Sequence, residues 1–581
     1  GPEDARASSN ARAADGESLG SEGGSGDESD PAGEDEPVGE DPPPGSPSTV
    51  PGAVLQAWLL GGLTGGPTWV ADASGITADV SGSADGSGSA GGGTVGETLA
   101  VASGEHATGL VARAQPVAEL APRVAGAVVS TVAAGDLRGT TAAACQSPGS
   151  EFWLAGGGTE LGTTTLLVVH NPGATPAEIS LEMWGPAGPV ELGGGARYIV
   201  PSGGELTLRL SALAAELART VVRVMSAGGQ IAAYLQVSEL DGFTPGGSEL
   251  VVPGSAPASR QVIPSVVVPE SDVGGAGSGL LRLLVPSGGG AGVSVPEGEG
   301  SELEARTLEG QTEADGQNDG GEGQTEPDDQ SDDESQSGAE AQTEDEGGAR
   351  ADLPVRVRVA FYGESGPVTL PGTEELTLVP GEVTDVDLGG LPAGAYAVVV
   401  DADAPVLASA RIERLGSPAN AGEPVPVENA WIAGSSGSAA DLVAVPAGLT
   451  ADVVLSAVPA TRSASSTLEN LGSPITGQLR AFDEFGAVLV SEAISVSAGS
   501  TLRVPLPQGV AAVELTEVPA LADGAALGDE TARTAGSSLA WGVLITSRGA
   551  DGDFLSVLTA PVHGAAVGEV AVRHAQRLPL E

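Results

Sequence analysis

The sequence predicts an all-β protein made of tandem β-sandwich modules of immunoglobulin type. Short runs rich in Val, Leu and Ile recur along the chain, and each is bounded by Gly, Pro or Asn. One segment with alternating apolar and polar residues returns three times. Long stretches with apolar residues at helical spacing are not evident.

Composition narrows the function classes. The chain has 581 residues, enough for several domains, and a formal net charge of -54. All 24 basic residues are Arg. The lack of Lys excludes a P-loop lysine, a Schiff-base lysine and a Ser-Lys dyad, and it indicates a GC-rich genome, with actinobacteria as the first expectation. Nucleic acid and anionic lipid surfaces would be repelled by the acidic chain.

The first third of the chain begins with a segment that cannot form a core. Residues 1–48 consist mainly of Gly, Ser, Pro, Asp and Glu, and we predict a disordered acidic tail. Residues 49–268 are predicted to form the first β-sandwich, with extra N-terminal strands and a flexible Gly/Ser loop at 81–93. Its best-defined part runs from Trp153 to Val237.

The internal repeat predicts two further sandwiches, at 269–417 and 426–581. Each copy has a Gly turn followed by a strictly alternating strand, as a half-buried sheet requires. These segments are Val200 to Leu210, Val379 to Leu388 and Val496 to Leu506. Segments upstream (181–190, 357–368, 479–489) and downstream (221–237, 396–412, 510–547) recur as well. Trp153 to Gly156 also recurs as Trp431 to Gly434, which we interpret as equivalent positions.

An acidic run interrupts the second copy. Residues 301–350 hold 17 Asp and Glu against 2 Arg. We predict that 297–351 form a disordered loop, because the closure entropy of a loop grows only with the logarithm of its length. The charge of this loop would discourage aggregation of neighbouring sheet edges.

No catalytic or cofactor-binding residues are predicted. The four histidines, His106, His170, His563 and His574, stand apart, and His170 is expected to end a strand rather than bind a metal. Ser103 and His106 could form a nucleophile and base by composition alone. Cys145 is the only cysteine, so no intrachain disulfide can form. We expect it in a core; an exposed thiol or an intermolecular disulfide is the alternative.

Paired acids are the candidate metal ligands. Three pairs could offer oxygen ligands to Ca²⁺: Asp401 with Asp403, Asp385 with Asp387, and Asp551 with Asp553. The rival interpretation is that Asp-Gly forms a hairpin turn and that Asp-x-Asp is the solvent face of a strand.

The tryptophans are expected to have two different roles, in the core and in sugar binding. Trp153 and Trp431 are expected in the core, whereas Trp58 and Trp69 could stack on sugar rings. No apolar run reaches the roughly 18–20 residues that span a bilayer. The chain starts with Gly1-Pro2 and not Met, so we interpret it as a processed or expressed form in which a removed signal or anchor would not be visible.

Three motifs carry a family resemblance: Gly135 to Gln146, Trp153 to Thr159 and Asn171 to Gly173. They resemble a domain family of unknown function found in large actinobacterial proteins, which usually carry an N-terminal membrane or signal segment. The resemblance covers roughly residues 95–581. It implies an extracytoplasmic protein of the cell envelope and assigns no activity.

The expected function is therefore that of a non-catalytic, extracytoplasmic envelope protein, a scaffold, adhesion or assembly component that meets envelope proteins or glycopolymers through sandwich surfaces. One alternative is a carbohydrate-binding or accessory protein in envelope polysaccharide assembly. The other is a surface stalk stiffened by calcium.

Overall fold

The computed structural model describes residues 53–57, 67–72, 99–103, 110–114, 124–192, 196–271, 275–276, 278–287, 353–416, 425–436, 442–446, 448–460, 473–518, 538–549 and 552–559. The predicted acidic tail 1–48, the Gly/Ser loop 81–93 and the acidic loop 297–351 lie outside these ranges. Strands dominate the described residues. Among them, no helix is long and apolar enough to cross a membrane.

The N-terminal strands form a small sheet and a separate pair. The strands are β1 (Ala53–Ala57), β2 (Pro67–Asp72), β3 (Leu99–Ser103), β4 (Leu110–Ala114), β5 (Val124–Val132) and β6 (Gly139–Ala144). Strands β1 and β4 pair with each other, and sheet 1 has the order β3-β2-β5-β6.

The first sandwich consists of a four-stranded layer and a five-stranded layer. Its elements are β7 (Glu151–Ala155), β8 (Thr163–His170), β9 (Ala177–Gly185), β10 (Gly188–Pro189), β11 (Arg197–Val200), β12 (Glu205–Arg209), the single helical turn α1 (Leu210–Leu213), β13 (Val221–Ala227), β14 (Ala232–Asp241) and β15 (Thr244–Val251). Sheet 2 has the order β12-β8-β14-β15, and sheet 3 has the order β11-β9-β13-β7, with β10 also on β9.

The second sandwich repeats this topology with one change. Its strands are β16 (Ala258–Val268), β17 (Glu270–Ser271), β18 (Gly275–Ala276), β19 (Ser278–Leu284), β20 (Val355–Gly363), β21 (Gly366–Val368), β22 (Leu376–Leu378), β23 (Thr384–Asp387), β24 (Gly394–Leu415) and β25 (Val427–Ala433). Strand β24 has 22 residues and serves both layers. Its second half joins sheet 4 (β23-β19-β24-β25), and its first half joins sheet 5 (β22-β20-β24-β16, with β21 on β20).

The third sandwich has the same strand order with separate strands. They are β26 (Leu442–Ala444), β27 (Thr450–Val458), β28 (Ile475–Asp483), β29 (Val488–Val496), β30 (Thr501–Pro505), β31 (Val510–Val518), β32 (Ser538–Gly549) and β33 (Gly552–Thr559). Sheet 6 has the order β30-β27-β32-β33 and sheet 7 the order β29-β28-β31-β26.

The sheets pack face to face in a closed series. Sheets 2 and 3 share one apolar core, sheets 4 and 5 a second, and sheets 6 and 7 a third. Outer faces pack as well: Trp153 and Trp184 of sheet 3 lie against Leu284 and Leu407 of sheet 4. Sheet 5 packs on sheet 6, whose Leu544 belongs to the core of the second sandwich.

Sheet 1 packs between the third and the first sandwich and so completes a closed ring of sheets. One face of β5, with Ala125 and Ala127, joins the core of the third sandwich, where β5 contacts β26. The opposite face, with Ser130, lies against Gln236 and Ser248 of sheet 2. Seven sheets of four or five strands therefore surround one axis, as the blades of a propeller do, while the connections within each module are those of a sandwich.

Each sheet has one edge at the centre and one at the perimeter. Four central strands, β6, β15, β25 and β33, contact one another in that cyclic order. Strand β6 is buried along its whole length. Exposed residues occur in every one of the perimeter strands β11, β12, β22, β23, β29 and β30, and they alternate regularly with partly buried residues in β12. Only one face of such a strand meets a core.

The repeated Gly-turn segment adopts equivalent positions in the three sandwiches, as the sequence predicts. Strands β12, β23 and β30 are the perimeter strands of sheets 2, 4 and 6. The turns before them hold Gly203, Gly381 and Gly499 at φ values of 64°, 87° and 73°. A side chain disfavours this left-handed conformation, which explains why glycine recurs there.

Two expectations differ from the observed pairing. Strand β16 lies within 49–268 but pairs with β24, and β25 lies within 426–581 but also pairs with β24. The hydrogen-bonded sheets therefore cross both predicted boundaries. Trp153 and Trp431 are not equivalent. Trp153 lies on β7, the first strand of sheet 3 in chain order, whereas Trp431 lies on β25, the last strand of sheet 4 in chain order.

Candidate functional site

The four central strands concentrate buried polar side chains at the axis of the ring. These side chains are at most 6% exposed: Arg138, Thr140, Thr141, Ser248, Glu249, Glu428, Asn429 and Ser556. Because carboxyl, hydroxyl and guanidinium groups lose water on burial, such a cluster is the first candidate for a functional site. We call it the central polar cluster.

Glu428 of β25 serves the free edge of β6. Strand β6 pairs with β5 on one side only, so alternate N–H groups on its other side have no strand partner. The Thr140 N–H donates to Glu428 Oε1 at 2.9 Å. Gly139 is required beside this contact, since a Cβ there would lie 2.8 Å from Glu428 Oε2.

Glu249 of β15 serves the next free N–H of the same edge. The Ala142 N–H donates to Glu249 Oε1 at 3.3 Å, and the Leu250 N–H donates to the same oxygen at 2.8 Å. The Ser556 hydroxyl of β33 donates to Glu249 Oε2 at 2.7 Å. One carboxyl group therefore connects strands of sheets 1, 2 and 6.

Burial controls the protonation of Glu249. Removal from water raises its pKa well above the ordinary value, and the nearby Glu428 raises it further, while its three hydrogen bonds act in the opposite direction. The neutral acid is therefore favoured well above the pH at which an exposed glutamate ionises. A protonated carboxyl at the axis also reduces repulsion between the two buried acids.

Other members of the cluster also satisfy backbone groups. Asn429 Nδ2 donates to the Gly246 carbonyl at 2.8 Å. Arg138 Nη1 donates to the Val427 carbonyl at 3.4 Å, and its guanidinium lies 4.9 Å from the centre of the Phe554 ring. The polar side chains at the axis thus supply the hydrogen-bond partners that a neighbouring strand supplies elsewhere.

A crevice opens between sheets 1 and 2 beside this cluster. Its lining includes Ser130, Thr141, Gln236 and Ser248, and its volume is about 10 Å³. That volume corresponds to roughly one water-sized sphere, far below the several hundred Å³ of ordinary ligand pockets.

A second buried polar contact joins the first two sandwiches. Arg282 of β19 is 3% exposed and binds both Asp385 oxygens, at 2.8 and 2.9 Å. Its Nη1 donates across the interface to the Gly157 carbonyl at 2.6 Å and to the Thr220 carbonyl at 3.3 Å. The guanidinium lies 4.8 Å from the Trp431 ring centre, which fixes it in place.

The structure does not gather the candidate calcium ligands into one group. Asp401 accepts a hydrogen bond from Arg260 at 3.1 Å, and Asp403 is exposed two residues further along β24. The exposed Asp553 lies at the start of β33, where its backbone carbonyl accepts from Arg414; Asp551 lies outside the described residues. Over the described part of the chain, no three His, Cys, Asp or Glu side chains form a metal-sized group.

His170 and Cys145 are both described by the structure, and both are buried. His170 ends β8 and is buried, and burial lowers its pKa to about 4. Cys145 is fully buried, as expected for a core residue, and burial raises the pKa of its thiol. His106, His563, His574 and the side chain of Ser103 lie outside the described residues.

The tryptophans with described positions lie inside the protein. Trp153, Trp184, Trp431 and Trp541 are at most 5% exposed, which confirms the core role expected for Trp153 and Trp431. Trp153 stacks on Trp184 with ring centres 5.3 Å apart. Trp58 and the side chain of Trp69 lie outside the described residues.

Sequence reasoning missed Glu249 and Glu428. Each is a single acid in a strand, a pattern that normally marks a solvent face. A signal was present, because Glu249 precedes Leu250 and Val251, and Glu428 precedes a run that is apolar from Ala430. A strand that is apolar on both faces predicts burial on both faces, and its acids are then buried too.

A family model described as a family of unknown function, DUF5719, matches residues 98–307 and 347–507, more than half of the chain. The unmatched interval falls within the acidic run that interrupts the second repeat. No curated protein and no solved structure matches the chain.

Proposed function

This chain belongs to the DUF5719 family of unknown function, and we propose that it is a non-catalytic, extracytoplasmic scaffold of the cell envelope. In this role, sandwich surfaces hold envelope proteins or glycopolymers for adhesion or assembly. The location rests on the family resemblance of the motifs between 135 and 173.

The proposal rests on the hydrogen bonds that the two central acids, Glu249 and Glu428, accept. Glu249 and Glu428 are the described acids that most resemble a catalytic pair, since both are buried and close enough to interact. Both accept hydrogen bonds from the free edge of β6. Their oxygens therefore stabilise the ring, and this structural role accounts for the two buried acids without a substrate.

The surface of the ring supports the same proposal. Leu161 and Phe243 are fully exposed near one end of sheet 2, where the Leu240 N–H donates to the Gly162 carbonyl. Large apolar side chains that are exposed close together are common at protein contact sites. The net charge of -54 favours partners that are not themselves acidic.

Location is tested by fractionating cells that produce the full chain. We expect the protein in the envelope or secreted fraction and expect protease added to intact cells to cleave it. Recovery in the cytosolic fraction, with resistance to added protease, would contradict the proposal.

The non-catalytic role is tested by complementing a deletion strain. Glu249→Gln keeps the hydrogen-bonding shape of the side chain, so the folded variant should restore the wild-type phenotype. A folded Glu249→Gln protein that fails to complement, beside a Phe243→Ser protein that complements fully, would indicate chemistry at the axis instead.

The carbohydrate-binding and calcium-stalk alternatives remain predictions. The sugar site expected from the sequence would use exposed tryptophan rings, and the four tryptophans with described side chains are buried. A calcium site needs free oxygens, and Asp401 is already paired with Arg260. Neither observation favours these alternatives over the scaffold.

A further inference from the structure

Strand β29 is the longest perimeter strand among the described residues. It has nine residues, whereas β12 and β30 have five each and β22 has three. It pairs with β28 along one side, and no other described strand pairs with it. The N–H and C=O groups of its other side form a ready template for an added strand.

The composition of β29 protects its edge less than the compositions of β30 and β23 protect theirs. Glu492 is its only charged residue, and it contains no Pro, Lys or Arg. Strand β30 carries Arg503 and ends in Pro505, and the four-residue β23 carries two aspartates. Charges and prolines are the usual protection of sheet edges.

An apolar patch lies beside the start of the strand. Phe485, in the turn before β29, is 80% exposed, and Val488 and Leu489 are 45% and 43% exposed. The register shifts between Ala481 and Phe482 of β28, so Leu489 is an extra residue and regular pairing runs from Val490 to Val496. This leaves seven residues in regular register for a partner strand.

Glu492 restricts which strand can be added. It lies on the same side of β29 as the buried Ile494 and Val496, opposite the fully buried Leu479. A new neighbouring strand would cover its exposed carboxylate, and burying an unpaired charge is costly. A basic residue opposite Glu492 removes that cost. A second copy brings its own Glu492 and a net charge of -54, which opposes self-pairing.

We propose that β29 binds an extended, basic segment of a partner protein as an added strand of sheet 7, with an Arg or Lys of that segment paired to Glu492. Main-chain hydrogen bonds provide the affinity and the ion pair provides the selectivity. The inference deepens the proposed scaffold role and rests on it for the existence of a protein partner.

The test measures peptide binding to the full chain by fluorescence anisotropy. The probe is a labelled nine-residue peptide of alternating threonine and valine with one central arginine. We expect saturable binding, hydrogen-exchange protection of 490–496, and at least about a tenfold loss of affinity in Glu492→Arg. A peptide with a central glutamate should show the reverse preference.

Glu375→Arg is the matched control. Glu375 is exposed and precedes β22, the perimeter strand that corresponds to β29 in sheet 5. The same charge reversal there should leave peptide affinity unchanged. An equal loss in both variants, or binding without protection of 490–496, would overturn the proposal by indicating general electrostatic attraction.

Glu492→Val provides a second readout that does not depend on the peptide. Removing the charge from the edge should promote self-association, which analytical ultracentrifugation measures against a monomeric wild type. A wild-type dimer protected at 490–496 would overturn the proposal in favour of a second copy. Failure of peptide binding would also overturn it, whereas failure of the scaffold proposal would appear separately as a cytosolic location.

Discussion

The central strand β6 and the perimeter strand β29 are both edges of four-stranded sheets, yet their free sides are treated differently. At the centre, Glu428 and Glu249 accept the unpaired N–H groups of Thr140 and Ala142. At the perimeter, no described strand pairs with the free side of β29, and the one charged residue of that strand, Glu492, is exposed. The comparison shows that an acid can complete an edge when buried and protect an edge when exposed.

The largest expected effect comes from breaking a buried contact between sandwiches. Arg282→Ala should destabilise the protein by about 3–5 kcal/mol, because it leaves Asp385 and two carbonyl groups without their cation. Chemical denaturation measures the loss. Arg197→Ala is the control, since its pair with Glu178 is exposed on a perimeter strand and should contribute less than about 1 kcal/mol. Similar losses in both variants would contradict the distinction between interior and perimeter.

Glu249 should give stability a particular dependence on pH. Its folded-state pKa is raised, so the folded protein keeps a proton that the unfolded chain releases. Stability from this group is present below the unfolded pKa and is lost as pH rises toward the folded pKa, at about 1.4 kcal/mol per pH unit. Glu249→Gln has no proton to lose, so its denaturation midpoint should fall less over that interval. A midpoint that falls with pH as steeply in Glu249→Gln as in the wild type would contradict the raised pKa of Glu249.

The smallest expected effect concerns Phe243, which is fully exposed. Phe243→Ala should change the free energy of unfolding by less than about 0.5 kcal/mol. Phe361→Ala is the matched control, because Phe361 is 1% exposed within the second core and its truncation should cost about 3–5 kcal/mol. A large loss in Phe243→Ala would show that this end of sheet 2 is structural and not a surface available to partners.

The strands could be predicted from sequence where the signal is local. The alternation in Glu205–Arg209 and Thr501–Pro505 fixes both the strand and the face that it buries. The equivalence of Trp153 and Trp431 was wrong, because four similar residues in a strand carry no information about which layer the strand enters.

Closure of the ring and the role of the central acids could not be predicted locally. Ala142, Glu249 and Ser556 meet although they are far apart in sequence. Only the assembled fold reveals that Glu249 faces a strand edge rather than water. The side-chain pairing of Asp401 with Arg260 likewise depends on β16 joining β24, which crosses the predicted domain boundary.

The contact between Ala142 and Ser556 also bears on biosynthesis. These residues are 414 positions apart in the sequence. A nascent chain without β33 lacks the Ser556 hydroxyl, which accepts a hydrogen bond from the Ala142 N–H and donates one to Glu249. The polar contacts at the axis are therefore completed only once β33 has been synthesised, and a chain that stops before β33 would leave them incomplete.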